Sequence, residues 1–201
     1  MKFSIGLSSL CLAGATCLAL TACDLREPAA TPAAAADPAQ PVNAAPTAGA
    51  NEAADSAAKA QVEAQLLAGL DAVQPLIKSK EDAYLPIAPL ADHRLLVHPA
   101  EGKRSRLVLD VSSLSGLTLS PVIESFQGNA TCEADPSAGV AGLHWQLDGA
   151  PMNDVVVDRK YASTIRVDVG GAKQLVIESS DQNGVIWCDW LAVGFHDVVP
   201  K

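Results

Sequence analysis

The chain has 201 residues, with 14 basic and 23 acidic side chains and a net charge of −9. An acidic chain with no basic stripe repels phosphate backbones, which argues against nucleic acid as a partner. The length allows one domain plus a tether once a leader is removed, and much of the 49% hydrophobic content is alanine in a stretch poorly suited to building a core.

The N-terminus reads as a secretory signal. Lys2 gives a short basic start, Ile5 to Leu20 form an almost uncharged run, and small residues lead into Cys23. The run falls short of the roughly 20 residues of a membrane span. Asp24, Arg26 and Glu27 follow it at once, so a cleaved signal is favoured over an uncleaved helix. Leu20-Thr21-Ala22-Cys23 resembles the lipobox of bacterial lipoproteins. That resemblance implies removal of residues 1–22, lipid on the sulfur of Cys23 and a membrane anchor in the bacterial cell envelope. Asp24 resembles the signal that retains enterobacterial lipoproteins in the inner membrane. The expected location is therefore the periplasmic face of that membrane, with the outer membrane as the alternative.

Residues 23–50 are rich in alanine and proline, as in Glu27-Pro28-Ala29-Ala30-Thr31-Pro32. Proline blocks helix and sheet pairing, and alanine buries too little area to offset ordering entropy. This stretch reads as a disordered tether. Val62, Leu66, Leu67, Leu70 and Val73 then recur at helical spacing, which predicts one short amphipathic helix over 51–78, stopped or kinked by Pro75. With only two heptads, the stripe fits a helix packed on its own domain better than a coiled coil.

From Pro89 the period changes to two, and residues 89–201 read as one all-β domain. Short strands are predicted at Arg94 to Val97, Leu107 to Val111, Leu143 to Leu147, Val155 to Val157, Thr164 to Val169, Gln174 to Glu178 and Ala192 to Phe195. Gly170-Gly171 reads as the turn of a hairpin, and Asp148-Gly149 and Asn183-Gly184 as further turns. Strands without an intervening helical period predict an antiparallel β-sandwich or jelly roll. Of five cysteines, Cys11 and Cys17 leave with the signal and Cys23 takes the lipid. Cys132 and Cys188 remain, an even pair in an oxidising compartment, for which a disulfide is the default and buried free thiols the alternative.

Arg166-Val167-Asp168-Val169-Gly170-Gly171-Ala172-Lys173-Gln174-Leu175-Val176-Ile177-Glu178, continuing to Cys188-Asp189-Trp190, resembles the C-terminal half of the NPCBM family, the novel putative carbohydrate-binding modules. Gly142-Leu143-His144-Trp145-Gln146-Leu147-Asp148-Gly149 resembles the strand-then-turn phrase upstream in that family. The resemblance implies a galactose-binding-like jelly roll that binds carbohydrate. The chain departs from the family where its aspartate–tryptophan element is compressed to Asp189-Trp190.

Sugar recognition needs a flat aromatic face for the ring and polar groups for the hydroxyls. If 187–190 is an extended strand, Trp187 and Asp189 share one face, as a stacking platform and a hydroxyl acceptor, while Cys188 and Trp190 share the other. Trp190 beside a disulfide also fits a core residue, and Trp145 is a further ligand candidate. Asp148, Asp181 and Asp189 form a calcium candidate, although aspartates in such phrases first serve turns. Otherwise no cofactor or metal is expected. No G-x-S-x-G, P-loop or H-E-x-x-H motif occurs in the sequence, so the expectation is a non-catalytic protein. The leading expectation is a tethered lipoprotein that binds a glycan. The alternative is a lipoprotein that binds a protein partner, as an inhibitor, immunity or envelope assembly factor.

Overall fold

The computed structural model describes residues 48–124, 130–135 and 137–201. The expected signal peptide, Cys23 and the tether as far as residue 47 lie outside them. Among the described residues no helix is long and apolar enough to cross a membrane.

Helix α1 runs over Ala48–Val73 and passes through a single tight turn, Gln74–Leu76, directly into strand β1, Ile77–Glu81. This corrects the expected helix over 51–78 and a β-domain starting at residue 89. Pro75 ends the helix as predicted, because its ring excludes the preceding helical hydrogen bond. The residues after it form the first strand of the sandwich. The remaining strands are β2 (Ala88–Pro89), β3 (Leu95–Leu96), β4 (Ser105–Asp110), β5 (Leu114–Ile123), β6 (Val140–Leu147), β7 (Asn153–Asp158), β8 (Ile165–Asp168), β9 (Gln174–Asp181) and β10 (Leu191–Pro200). A second helix, α2, covers Ala130–Ala134 and carries Cys132.

Two five-stranded antiparallel sheets make a β-sandwich, ordered β1-β4-β9-β6-β7 and β2-β3-β10-β5-β8. The core lies between them. Leu107, Leu109, Leu143, Leu175 and Ile177 of the first sheet cluster with Leu117, Leu119, Val167, Val193 and Phe195 of the second. On β8 the alternation read from the sequence holds: Val167 and then Val169 are buried while Arg166 and Asp168 are exposed.

The expected hairpin across Gly170-Gly171 is corrected. Strand β8 pairs with β5 in one sheet, while β9 pairs with β4 and β6 in the other. The glycine turn therefore carries the chain across the sandwich, and both strands keep their apolar faces on the shared core.

Helix α1 lies against β10. Strand β3 pairs with β10 only at Ala192 and Val193, leaving later residues of that edge unpaired by strand. An exposed sheet edge is a template for association, and a helix laid over it removes that hazard. Two glycines permit the approach. A Cβ at Gly69 would fall 1.9 Å from the carbonyl oxygen of Phe195, and one at Gly194 would fall 2.5 Å from Leu66 Cδ2. Leu70 and Val73 join the core itself, so this helix is packed on its own domain.

Candidate functional site

Strand β9 ends in a run of tight turns. Asp181 Oδ1 accepts the backbone N–H groups of Asn183 and Gly184, both at 2.9 Å, and Asn183 Oδ1 accepts that of Val185 at 2.9 Å. Cys188 then adopts a left-handed conformation with φ of 71°. The N–H of Asp189 bonds back to the Ile186 carbonyl, and that of Leu191 to the Asp189 carbonyl. Residues 187–190 are therefore not an extended strand, and the expected sharing of one face by Trp187 and Asp189 is corrected. Period-two alternation requires extended dihedrals, which the left-handed residue between them removes.

Asp189 is 0% exposed. Its Oδ1 accepts the N–H of Val140 at 2.8 Å, while Oδ2 has no hydrogen-bond partner among the described residues. Burial pushes its pKa up to about 6, against the opposing pull of the Val140 and Gly139 amides. Asp189 thus anchors the turn to the start of β6 and offers no carboxylate to a hydroxyl at the surface.

Trp187 is 42% exposed and stands at the edge of a depression of about 410 Å³, which Tyr84, His98, Cys132, Ile186, Cys188 and Trp190 complete. The rings are arranged in sequence. Tyr84 and His98 have centroids 5.4 Å apart with a 40° tilt, and His98 meets Trp190 edge-on at 5.9 Å. The Cys132–Cys188 disulfide, with Cα atoms 5.8 Å apart, forms part of the wall. It ties α2 to the tryptophan turn, and an Arg159 guanidinium also bonds the Cys132 carbonyl.

One buried hydroxyl holds two sides of the depression. Ser105 Oγ accepts the N–H of Ala83 at 3.0 Å and donates to the His98 carbonyl at 2.5 Å. It therefore fixes both the loop that carries Tyr84 and the loop that carries His98. His98 Nδ1–H donates to the carbonyl of Pro99. Burial lowers the pKa of this imidazole, so it is neutral at neutral pH, with Nε2 as its acceptor. The depression combines flat ring faces with a few polar edges, a surface suited to an amphiphilic ring that is apolar on one side and hydroxylated at its rim. Replacing Ser105 by alanine is expected to lower stability by about 1–2 kcal/mol, because the Ala83 amide and the His98 carbonyl both lose their partner. Chemical denaturation checks the effect.

Trp145 stands apart from this group. It lies on β6 between Asn153 of β7 and Ile177 of β9, half-buried and packed against the main core. Alternation puts it on the same face as Leu143, which explains the packing. Asp148 is committed to a turn: its carboxylate accepts the N–H groups of Lys173 and Gln174. Among the described residues no three His, Cys, Asp or Glu side chains gather as metal ligands, and Asp148, Asp181 and Asp189 each serve the backbone. Sequence reasoning missed Tyr84 and His98. Both sit in loops far from the tryptophans in sequence, and no spacing links them.

No family model matches the chain, and no curated protein matches it. Several solved structures are similar to it. One is the CBM51 module from Clostridium perfringens GH95 in complex with methyl-galactose, at 14% identity and a TM-score of 0.42, covering 62% of this chain and 94% of that one. A second is the M60 catalytic domain with the CBM51-1 and CBM51-2 domains of Clostridium perfringens ZmpB, at 14% identity and a TM-score of 0.43. It covers 62% of this chain, which spans only 14% of that one. A third is CBM51-2 with GlcNAc and the INT domains of the same ZmpB, at 12% identity and a TM-score of 0.44, covering 61% of this chain and 30% of that one.

Proposed function

We propose that this protein is a non-catalytic glycan-binding module, tethered to a bacterial envelope membrane by lipid on Cys23. The observation that carries the glycan reading is the aromatic depression. Trp187 and Tyr84 are 42% and 65% exposed, and they flank His98 and Trp190 around a shallow space of about 410 Å³. Large rings left in water beside a fixed histidine offer stacking area to the C–H face of a pyranose. The disulfide and Ser105 hold that surface in place before a ligand arrives, which lowers the ordering cost of binding. The tether reading rests on Leu20-Thr21-Ala22-Cys23 and the alanine- and proline-rich residues that follow it.

A screen of monosaccharides, surface polysaccharides and peptidoglycan tests the ligand reading. Binding is expected, and Trp187→Ala is expected to reduce it at least tenfold while thermal unfolding stays cooperative. Equal retention by the variant would contradict the site, and no binding by the wild type would favour a protein partner. Labelling with a radioactive fatty acid tests the anchor, with Cys23→Ser expected to abolish incorporation.

A further inference from the structure

We propose that the domain reads an oligosaccharide of at least two residues rather than a single terminal sugar, using a second, polar depression beside the aromatic one. This rests on the glycan reading above. The second depression, of about 380 Å³, is lined by Lys103, Arg104, His144, Ser180 and Gln182 among others. Among the described residues that line it, the imidazole is the one aromatic ring, so recognition there proceeds by hydrogen bonds instead of stacking.

Its polar groups are organised. Gln182 Nε2 donates to Ser180 Oγ at 2.8 Å, and the same oxygen lies 2.7 Å from His144 Nε2. The cluster closes over bare backbone at Gly142. A Cβ there would fall 2.2 Å from Gln182 Nε2, 2.6 Å from Ser180 Oγ and 2.8 Å from His144 Nε2. Beside it Arg104 Nη1 pairs with Glu178 Oε2 at 2.9 Å. A guanidinium joined to a carboxylate presents donors and acceptors side by side, which matches vicinal hydroxyls. Lys103 and Arg104 are balanced nearby by Glu178 and Asp181, so the site suits a neutral hydroxylated ring better than an anion.

The two depressions share the same two loops. His98 borders the aromatic one, and Lys103 and Arg104 border the polar one, on a single loop closed by the Ala100–Lys103 pairing and by Ser105 bonding to His98. At the end of β9 and in the turn that follows it, Ser180 and Gln182 serve the polar depression, and Ile186 and Trp187 the aromatic one. Ile186 follows Gln182 by four positions, which bounds the span between their Cα atoms at about 14 Å even for extended chain. A sugar stacked on Trp187 can therefore extend its next residues across the loops into the polar site.

The test uses the full chain and titrates it with glucose, galactose, mannose and N-acetylglucosamine and with their di-, tri- and tetrasaccharides. In whichever series binds, affinity is expected to rise at least tenfold from one residue to two or three. Lys103→Ala combined with Gln182→Ala is expected to bring the ratio of oligosaccharide to monosaccharide affinity towards one. Trp187→Ala is expected to weaken every length. Equal affinity for all lengths in the wild type, or an undiminished ratio in the double variant, overturns the two-site reading and leaves the aromatic site standing. Failure of the wild type to bind any sugar overturns the glycan reading and this inference with it.

Discussion

A chain in which Cys132 and Cys188 are both replaced by serine is expected to lose about 4 kcal/mol of unfolding free energy, through the entropy of the reopened loop. The bridge closes 56 residues, from α2 to the turn after β9. For a domain of this size the corresponding fall in melting temperature is on the order of 10 °C. Calorimetry of oxidised, reduced and double-serine protein measures it directly. Binding is expected to suffer as well, because both cysteines line the aromatic depression and Cys188 sits between Trp187 and Asp189 in a left-handed conformation. Once the bridge is gone, the Asn183 side chain still donates to the Ser137 carbonyl, between the turn and the residues after α2, and Arg159 still bonds the Cys132 carbonyl from the end of β7. A melting temperature unchanged by reduction would show that the wall stands without the bridge.

The second large effect is a dependence on pH that originates at Asp189. Its folded pKa, about 6, lies above the ordinary aspartate value of 3.8 because burial disfavours the charged form. The folded state therefore holds its proton more tightly than the unfolded state does. Stability from this group is complete below about pH 4, declines as pH rises from about 4 to 6, and is flat above that. The span amounts to about 3 kcal/mol. Asp110, whose pKa hydrogen bonds from Ser112 and Lys78 hold down to about 2, slopes the opposite way at lower pH. The informative quantity is consequently the difference between wild type and Asp189→Asn. The asparagine retains an oxygen for the Val140 amide and cannot ionise. Denaturation midpoints across pH 3.5 to 7.5 are expected to show the variant gaining on the wild type between about pH 4 and 6. Parallel curves would mean that Asp189 titrates as a solvated carboxylate.

Much of the sandwich was legible in the sequence because its strands carry a one-sided apolar pattern. The alternation through Val167 and Val169 predicted one shared face, the Leu107 to Val111 run predicted a strand, and Val167, Val169, Leu107 and Leu109 are all buried. Strand β5 escaped notice because Ser115, Gly116, Ser120 and Pro121 dilute its pattern. It forms because β10 pairs along nearly its full length and β8 covers Gly116 to Leu119. Pro121 lies beyond the end of β8, where one side of the strand is open and the missing N–H breaks no bond to that neighbour. β1 was hidden for another reason: its residues follow a helix with no turn signal except Pro75, and only pairing with β4 makes them a strand.

The site was legible in its chemistry and not in its geometry. The late tryptophans and the cysteine pair were visible as candidates, and the gathering of Trp187, Trp190 and Cys188 around one depression followed from their closeness in sequence. Asp189 was misplaced because alternation was applied across a turn. Tyr84 and His98 arrive through sheet topology and the Ser105 hydroxyl, long-range contacts that local spacing does not encode.

The most direct test of the aromatic depression as the glycan site is a titration followed by the indole N–H signals of the three tryptophans. The full chain, labelled with heavy nitrogen, is titrated with a sugar that the screen retains. Signals of Trp187 and Trp190 are expected to shift with saturation while that of Trp145, packed on the core behind β6, stays in place. A shift confined to Trp145, with Trp187 and Trp190 unmoved at saturation, would contradict the account.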